Sequence, residues 1–326
     1  MAEEQLIKEP EQDFSSPGGT PVPEDKNNVK QKVNTSATSD MDHVLTKNEH
    51  SNLSVENLQK LIETDPANFL LYFNLGNAYN QTEHSQDAIK SLKQSIELNP
   101  DYYQSWFNLA NIFYKSNKYD DAVINFNKAF ELNPSLYQAQ FNLGNIFLKQ
   151  NNPDKAIKFF EKTLDLHPSH APSILCLGNA YYMKEWYEKA VRYYKNYLEI
   201  DPNNTSVMMK IAKINELVED KTGAIEYLSK ILQIKENDIY TLKHISTLYL
   251  KVRNFDLALA YLERVLKYVP KDLETYFQIG KVYYLTKQYK NAIGIYSKVL
   301  RSIPEHIECL TDLADIYEIN KDSELA

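Results

Sequence analysis

The chain has 326 residues, of which 43% are hydrophobic, and its formal net charge is −8. Residues 1–50 carry ten acidic and five basic side chains, so residues 51–326 are close to charge balance. This composition lacks the basic surface that binding to a phosphate backbone requires, and it predicts no direct nucleic-acid partner. No run of about 18 apolar residues occurs, which predicts no membrane insertion.

The residues that carry chemistry are sparse and scattered. The two cysteines, Cys176 and Cys309, lie far apart in the chain, so we predict neither a disulfide framework nor a cysteine metal site. His167 and His170 flank a proline with no third ligand nearby in sequence. We predict no catalytic residue, no metal and no cofactor. The acidic start, MAEEQLIKEP, is unlike a secretory signal and favours a cytoplasmic location, with the nucleus as an alternative.

The N-terminal segment differs from the rest of the chain. Residues 1–38 are rich in Ser, Thr, Pro, Asn and acidic residues and lack any period, which predicts a disordered tail. Residues 39–68 are predicted to be a half-repeat or capping helix. Within them, residues 40–47 form a short predicted helix and residues 52–64 a longer one.

From residue 66 onward the sequence repeats every 34 residues. Prolines keep this step at Pro66, Pro100, Pro134, Pro168, Pro202, Pro270 and Pro304. Alanines keep it at Ala88, Ala122, Ala156, Ala190, Ala224, Ala258 and Ala292. A small residue lies twelve residues before each alanine, and Leu or Ile precedes that small residue. Such a fixed period predicts a repeat architecture rather than a globular domain.

The 34-residue unit resembles the tetratricopeptide repeat, which has small residues at positions 8 and 20 and proline at position 32. Counting residue 69 as position 1, seven repeats fill residues 69–306, and residues 307–326 begin a partial eighth, helix A alone, possibly truncated. Apolar positions in each unit fall on one face of two successive helices, A and B. The resemblance implies an all-α, right-handed superhelical solenoid whose concave groove is lined by the A helices.

The resemblance also implies which side chains face the groove. In the first four repeats, aromatic residues and asparagines recur there: Phe73, Phe107 and Phe141 at position 5, Asn74, Asn108 and Asn142 at position 6, Asn77, Asn111, Asn145 and Asn179 at position 9, and Tyr114 and Tyr182 at position 12. Asparagine offers a donor and an acceptor, which suits the backbone of an extended peptide. Later repeats place lysines there, which suits an acidic segment: Lys213, Lys243 and Lys281.

The asparagines at positions 9 and 6 also have more specific interpretations. The family consensus favours Asn at position 9 partly because it bonds the neighbouring helix, so that set also fits a structural role. The position 6 set is similar to the asparagine ladder of O-linked N-acetylglucosamine transferases, but Cys176, Lys210 and His244 interrupt it. The carboxylate clamp of heat-shock co-chaperones needs three cations where Phe73, Gln138 and Asn142 stand, so we predict no such clamp.

The sequence therefore predicts a non-enzymatic scaffold or adaptor that binds a peptide or partner-protein segment in its groove. One alternative is a substrate-recruiting region of a larger, glycosyltransferase-like enzyme. Another is a structural subunit of a multiprotein complex. The oligomeric state stays open.

Overall fold

A computed structural model describes residues 53–325, with side chains through residue 320. Within that range α-helix is the only regular secondary structure. The sixteen helices are α1 Val55–Thr64, α2 Phe69–Gln81, α3 Ser85–Leu98, α4 Tyr103–Lys115, α5 Tyr119–Leu132, α6 Tyr137–Lys149, α7 Pro153–Leu166, α8 Ala171–Met183, α9 Tyr187–Ile200, α10 Thr205–Leu217, α11 Lys221–Ile234, α12 Ile239–Lys251, α13 Phe255–Tyr268, α14 Leu273–Leu285, α15 Tyr289–Ser302 and α16 Ile307–Leu325. The predicted tail and the predicted helix at 40–47 lie outside the described residues.

The described residues divide into two compact units, the first ending at Pro168 and the second beginning at Ser169. The first contains α1 to α7 and the second contains α8 to α16. Within each unit, every helix packs against the next one along the chain. From α2 to α15 the helices form A–B pairs that recur every 34 residues, and the predicted all-α class is confirmed.

Each of the first seven A helices ends in the same way, with a left-handed residue at position 15. These residues have φ between 54° and 62° and are Glu83, Asn117, Asn151, Glu185, Glu219, Arg253 and Lys287. The backbone N–H of the following residue then donates to the carbonyl at position 11, as His84 does to Tyr79 at 2.9 Å. This is the Schellman arrangement, which satisfies the last carbonyls of the helix. Only Asn117 and Asn151 are of a residue type that favours this conformation, so the sequence did not predict these helix ends.

Small residues are needed where the two helices of a pair cross. The alanine at position 20 has no exposed surface in any of the seven repeats. The residue at position 8 lies against position 24 of helix B, as Gly178 does against Tyr194. Position 24 is fully or almost fully buried throughout: Leu92, Phe126, Phe160, Tyr194, Leu228, Leu262 and Tyr296. These large side chains form the centre of each helix pair.

The last helix departs from the pattern. The first seven A helices have 13 residues each, whereas α16 has 19 and continues through the positions where the others turn. Between residues 53 and 325, no helix combines the length and the apolar character needed to cross a bilayer.

Candidate partner-binding surface

Two asparagine pairs link consecutive A helices in the first unit. The Nδ2 of Asn108 on α4 donates to Oδ1 of Asn77 on α2 at 2.7 Å. One repeat later, Nδ2 of Asn142 on α6 donates to Oδ1 of Asn111 on α4 at 3.1 Å. All four side chains are half-buried. The position 6 and position 9 asparagines, read from sequence as two parallel sets, are therefore hydrogen-bonded partners across the repeat boundary.

Each pair leaves hydrogen-bonding capacity beyond the bond that it makes. The bond engages one N–H of the position 6 amide and one lone pair of the position 9 carbonyl. An asparagine amide has two donors and an acceptor with two lone pairs. The Nδ2 group at position 9 and the carbonyl at position 6 are not used in this bond. The pairs thus combine a structural contact with polar groups that can address a ligand.

The remaining position 9 asparagines are placed differently. Asn145 is 8% exposed, so it offers a partner little surface. In the second unit, Oδ1 of Asn179 accepts a hydrogen bond at 2.8 Å from the hydroxyl of Tyr194, which is 1% exposed. At this position 9 the asparagine therefore has a structural role, because Asn179 accepts the hydrogen bond of a buried phenol.

The aromatic residues at position 5 pack mainly inside their own helix pairs. Phe107 is 6% exposed, and its ring centroid lies 5.6 Å from that of Phe126. The ring of Phe141 lies 5.8 Å from that of Phe160. The sequence reading placed these rings on the groove surface, and for Phe107 the structure corrects this. The Phe107 ring packs instead against the large residue at position 24 of its own helix pair.

Other predicted groove residues stay partly accessible. Phe73 is half-buried and packs edge-on against Tyr102 with ring centroids 5.2 Å apart. Asn74 is half-buried on the same helix. Tyr114 is half-buried, and Nζ of Lys149 lies 5.5 Å above its ring. Tyr182, in the second unit, is half-buried too. The stretch from α2 to α6 thus presents both half-buried rings and half-buried amides.

The lysines of the second unit contact neighbouring side chains. Nζ of Lys243 lies 2.5 Å from a carboxylate oxygen of Asp272, and Nζ of Lys281 lies 5.7 Å from the Phe277 ring. His244 forms a similar contact, 2.6 Å from Glu216. Lys213 is exposed. Sequence reading found the cations but missed the acidic partners, which belong to other helices or loops. This surface is more balanced in charge than the lysines alone predicted.

The Lys243–Asp272 pair predicts a pH effect. Burial disfavours ionised Asp272, but hydrogen bonds from Lys243 and Thr275 outweigh it and hold the pKa of this carboxyl below its usual value. Its ionisation therefore stabilises the fold above the unfolded-state pKa, about 3.9, and that contribution is lost as pH falls through the folded-state pKa. We expect Lys243→Met to cost about 0.2–1 kcal/mol at pH 7, since the pair is partly exposed, and to cost progressively less as pH falls through the folded-state pKa.

Urea unfolding of both proteins between pH 7 and pH 2 measures this difference. Lys251→Met is the matched control, because this exposed lysine ends the same helix. An equal difference between wild type and K243M at every pH contradicts the assigned ion pair.

Both thiols have raised pKa values, which disfavours nucleophilic chemistry. Burial raises the pKa of Cys176 to about 12, against a smaller lowering by Lys210. Burial raises the pKa of Cys309 to about 11, and the nearby carboxylate of Asp312 adds to the effect. Thiolate is the reactive form, and it is scarce at neutral pH for such thiols. Among residues 53–320, no group of three His, Cys, Asp or Glu side chains has a metal-binding arrangement.

Comparison with known proteins decides the repeat type. Family models described as "Tetratricopeptide repeat" match residues 73–129, 107–171 and 171–204. Residues 73–204 consist of tetratricopeptide repeats. A model described as "Anaphase-promoting complex, cyclosome, subunit 3" matches residues 251–321. No curated protein sequence matches the chain.

Solved structures share the tetratricopeptide fold. The C-terminal part of a TPR repeat-containing protein from Cytophaga hutchinsonii is 20% identical, with a TM-score of 0.62 over 73% of this chain and 97% of that one. YrrB, described as a TPR protein with an unusual peptide-binding site, is 18% identical, with a TM-score of 0.51 over 58% of this chain and 97% of its own. At these identities the likeness shows the fold alone.

Proposed function

We propose that this tetratricopeptide-repeat protein binds an extended segment of a partner protein along the asparagine pairs of its first three repeats. The observation that carries the proposal is the pair of cross-repeat bonds, Asn108 to Asn77 and Asn142 to Asn111. These bonds fix the four amides in position before any ligand arrives. Preorganised polar groups cost less entropy on binding than flexible ones do.

The spacing of the pairs suits an extended chain. Helices in direct contact lie about 8–10 Å apart. An extended peptide advances about 3.3 Å per residue. One asparagine pair therefore recurs about every three residues of a bound segment, so successive pairs address its backbone at a regular interval.

Charge gives a weaker preference than hydrogen bonding. The amides are neutral, so they do not select a strongly charged segment. Each hydrogen bond to the peptide contributes about 1 kcal/mol net, because it replaces a hydrogen bond to water. The two asparagine pairs alone therefore give only modest affinity. Apolar contact with half-buried rings such as Phe73 and Tyr114 supplies the remaining affinity.

Isosteric substitution separates the binding role from the structural one. In Asn77→Asp plus Asn111→Asp, the carboxylate oxygens still accept from Asn108 and Asn142, but the Nδ2 donors are gone. We expect this double variant to keep its melting temperature within a few degrees and to bind the partner about tenfold more weakly. Capture of partners from a native extract, quantified by mass spectrometry against wild type, identifies the protein to be titrated.

The matched control exchanges the other half of each pair. Asn108→Asp plus Asn142→Asp removes the donors that make the cross-repeat bonds and sets a carboxylate against a carbonyl, so we expect a lower melting temperature. Repeating the titrations at high salt removes the effect of the added charge. If N77D/N111D binds the partner as wild type does, the position 9 amides serve structure only and the proposal fails.

A second candidate is a subunit of a stable multiprotein complex, favoured by the match of residues 251–321 to the model of anaphase-promoting complex subunit 3. Several apolar side chains of α16 are also exposed, such as Ile307 at 75%. Sedimentation of the native protein tests this, because a permanent subunit is found only in a complex of constant composition. The substrate-recruiting region of a larger enzyme stays a prediction.

A further inference from the structure

The fifth repeat lacks a ring that the seven other repeats have. Position 11 is Asn215 there, on α10. Elsewhere position 11 is aromatic: Tyr79, Phe113, Phe147, Tyr181, Tyr249, Tyr283 and Tyr317. The helices on either side of Asn215 keep the lengths and the 34-residue step of the other repeats.

The other repeats show what this ring does. The Tyr79 side chain packs against the cluster of Leu58, Leu71 and Leu75, which joins α1 to α2, and against the cluster that contains Ala88 and Leu92 of its own repeat. Its hydroxyl oxygen accepts a hydrogen bond at 3.0 Å from Nε2 of Gln59, which occupies position 25 of that preceding helix. Tyr283 likewise belongs to the clusters on both sides of its helix. In these two repeats the position 11 ring therefore contacts both sides of the boundary between consecutive repeats.

At the boundary before Asn215 the structure has a depression of about 550 Å³. Its apolar wall includes Val191 on α9 and Ile214 and Val218 on or beside α10. Lys195, which also lines it, occupies position 25 of α9, the position that Gln59 has in the first boundary. The Asn215 amide lies towards α11, where it would come within 2.6 Å of a Cβ placed on Gly223.

The charges at the depression argue against an ionic ligand. Arg192 and Lys195 lie on its lining, but so do Glu188 and Glu199, so neither sign prevails. A neutral group with an apolar body and one hydrogen-bonding end fits this lining best. A tyrosine side chain has these properties, and Tyr79 occupies the corresponding place at the first boundary.

We propose that this depression is a docking slot for a tyrosine side chain of a partner protein. The partner's ring takes the place that position 11 leaves empty and packs on Val191 and Val218, beside the buried Ile214. The ammonium of Lys195 donates to the phenol oxygen, as Gln59 does to Tyr79. The slot lies within the second unit and is separate from the asparagine pairs, so it supplies a second point of attachment.

The probe is p-cresol, the side chain of tyrosine, titrated into the full chain and followed by the NMR signals of the Val191, Ile214 and Val218 methyl groups. We expect saturable shifts in wild type at millimolar concentration, as suits a ligand of this size. Toluene, which lacks the hydroxyl, is expected to bind several-fold more weakly, and Lys195→Met is expected to remove that difference.

Filling the slot is the decisive change. Asn215→Tyr restores the ring of the other repeats and is expected to weaken p-cresol binding at least about tenfold while raising the melting temperature. Asn203→Tyr, in an exposed loop, is the matched control and is expected to bind p-cresol as wild type does. Should N215Y fail to fold, Val218→Lys obstructs the slot at a position that is 51% exposed and so tolerates change.

Either of two kinds of result overturns the proposal, one from p-cresol binding and one from sedimentation. One is the absence of saturable p-cresol binding in wild type, or binding that persists unchanged in both slot variants. The other is a dimer in sedimentation that N215Y dissociates, because the occupant is then a second copy of this chain and not a partner protein.

Discussion

Replacement of Tyr194 by alanine is expected to lower the free energy of unfolding by about 3–5 kcal/mol, the range for removing a large ring from a core. Tyr194 is 1% exposed at the crossing of α8 and α9. Removing it creates a cavity at the crossing and leaves Oδ1 of Asn179 without the hydroxyl that donates to it. The shift of the urea midpoint, followed by circular dichroism, measures the loss.

One further variant measures the contribution of the hydroxyl alone, and a second is an exposed control. Tyr194→Phe removes only the hydroxyl and is expected to cost about 1 kcal/mol. Tyr240→Ala makes the same change as Y194A at a residue that is 66% exposed, and it is expected to cost less than about 0.5 kcal/mol. A similar loss for Y240A and Y194A contradicts the placement of Tyr194 in the core.

The second large effect concerns a pair of helical glycines that we expect to respond with opposite signs. A Cβ on Gly178 would lie 2.5 Å from a ring atom of Tyr194. The ring cannot tilt away freely, because its hydroxyl is bonded to Asn179. Gly178→Ala is therefore expected to destabilise the protein by about 1–3 kcal/mol through overpacking.

Gly294 is the matched control, because it lies inside α15 with no atom within 4 Å of the Cβ position. Gly294→Ala is expected to stabilise the protein by about 0.5–1 kcal/mol, since alanine loses less backbone entropy in a helix. Parallel thermal melts of the two variants decide the matter. A melting temperature that changes in the same direction for both contradicts the crossing geometry.

The repeat pattern predicted the helices well because their bounds depend on local sequence. The 34-residue step predicted a unit boundary at residue 69 and every 34 residues after it, and each A helix from α2 to α16 begins at that step. The alanine at position 20 recurs in the sequence at every repeat, and in the structure Ala122, for instance, is fully buried. Close crossings select small residues in any surroundings, so sequence alone reveals them.

The groove was harder to predict because its side chains contact residues of other helices. Asn77 and Asn108 are 31 residues apart in sequence, and nothing in either repeat alone indicates that they form a pair. Phe107 lies at a position that the family register assigns to the groove, yet its ring packs in the core against Phe126. The acidic partner of Lys243 comes from the loop before α14. Such contacts follow from packing between elements, which the period does not encode.

The missing ring at position 11 illustrates an intermediate case. The departure of Asn215 from the pattern was visible in the sequence, but its consequence was not. Only the placement of Lys195 and Val191 on the neighbouring helix shows that a depression results. A break in a repeat pattern therefore marks where to look, and the structure shows what the break produces.

The most direct test of the proposed partner groove is NMR of the asparagine side-chain amides during titration with the partner segment. If the segment lies along the asparagine pairs, the Nδ2 signals of Asn77 and Asn111 shift progressively and saturate together, while the signal of the exposed Asn127 stays in place. Saturable binding that leaves the signals of Asn77, Asn108, Asn111 and Asn142 unchanged contradicts the account.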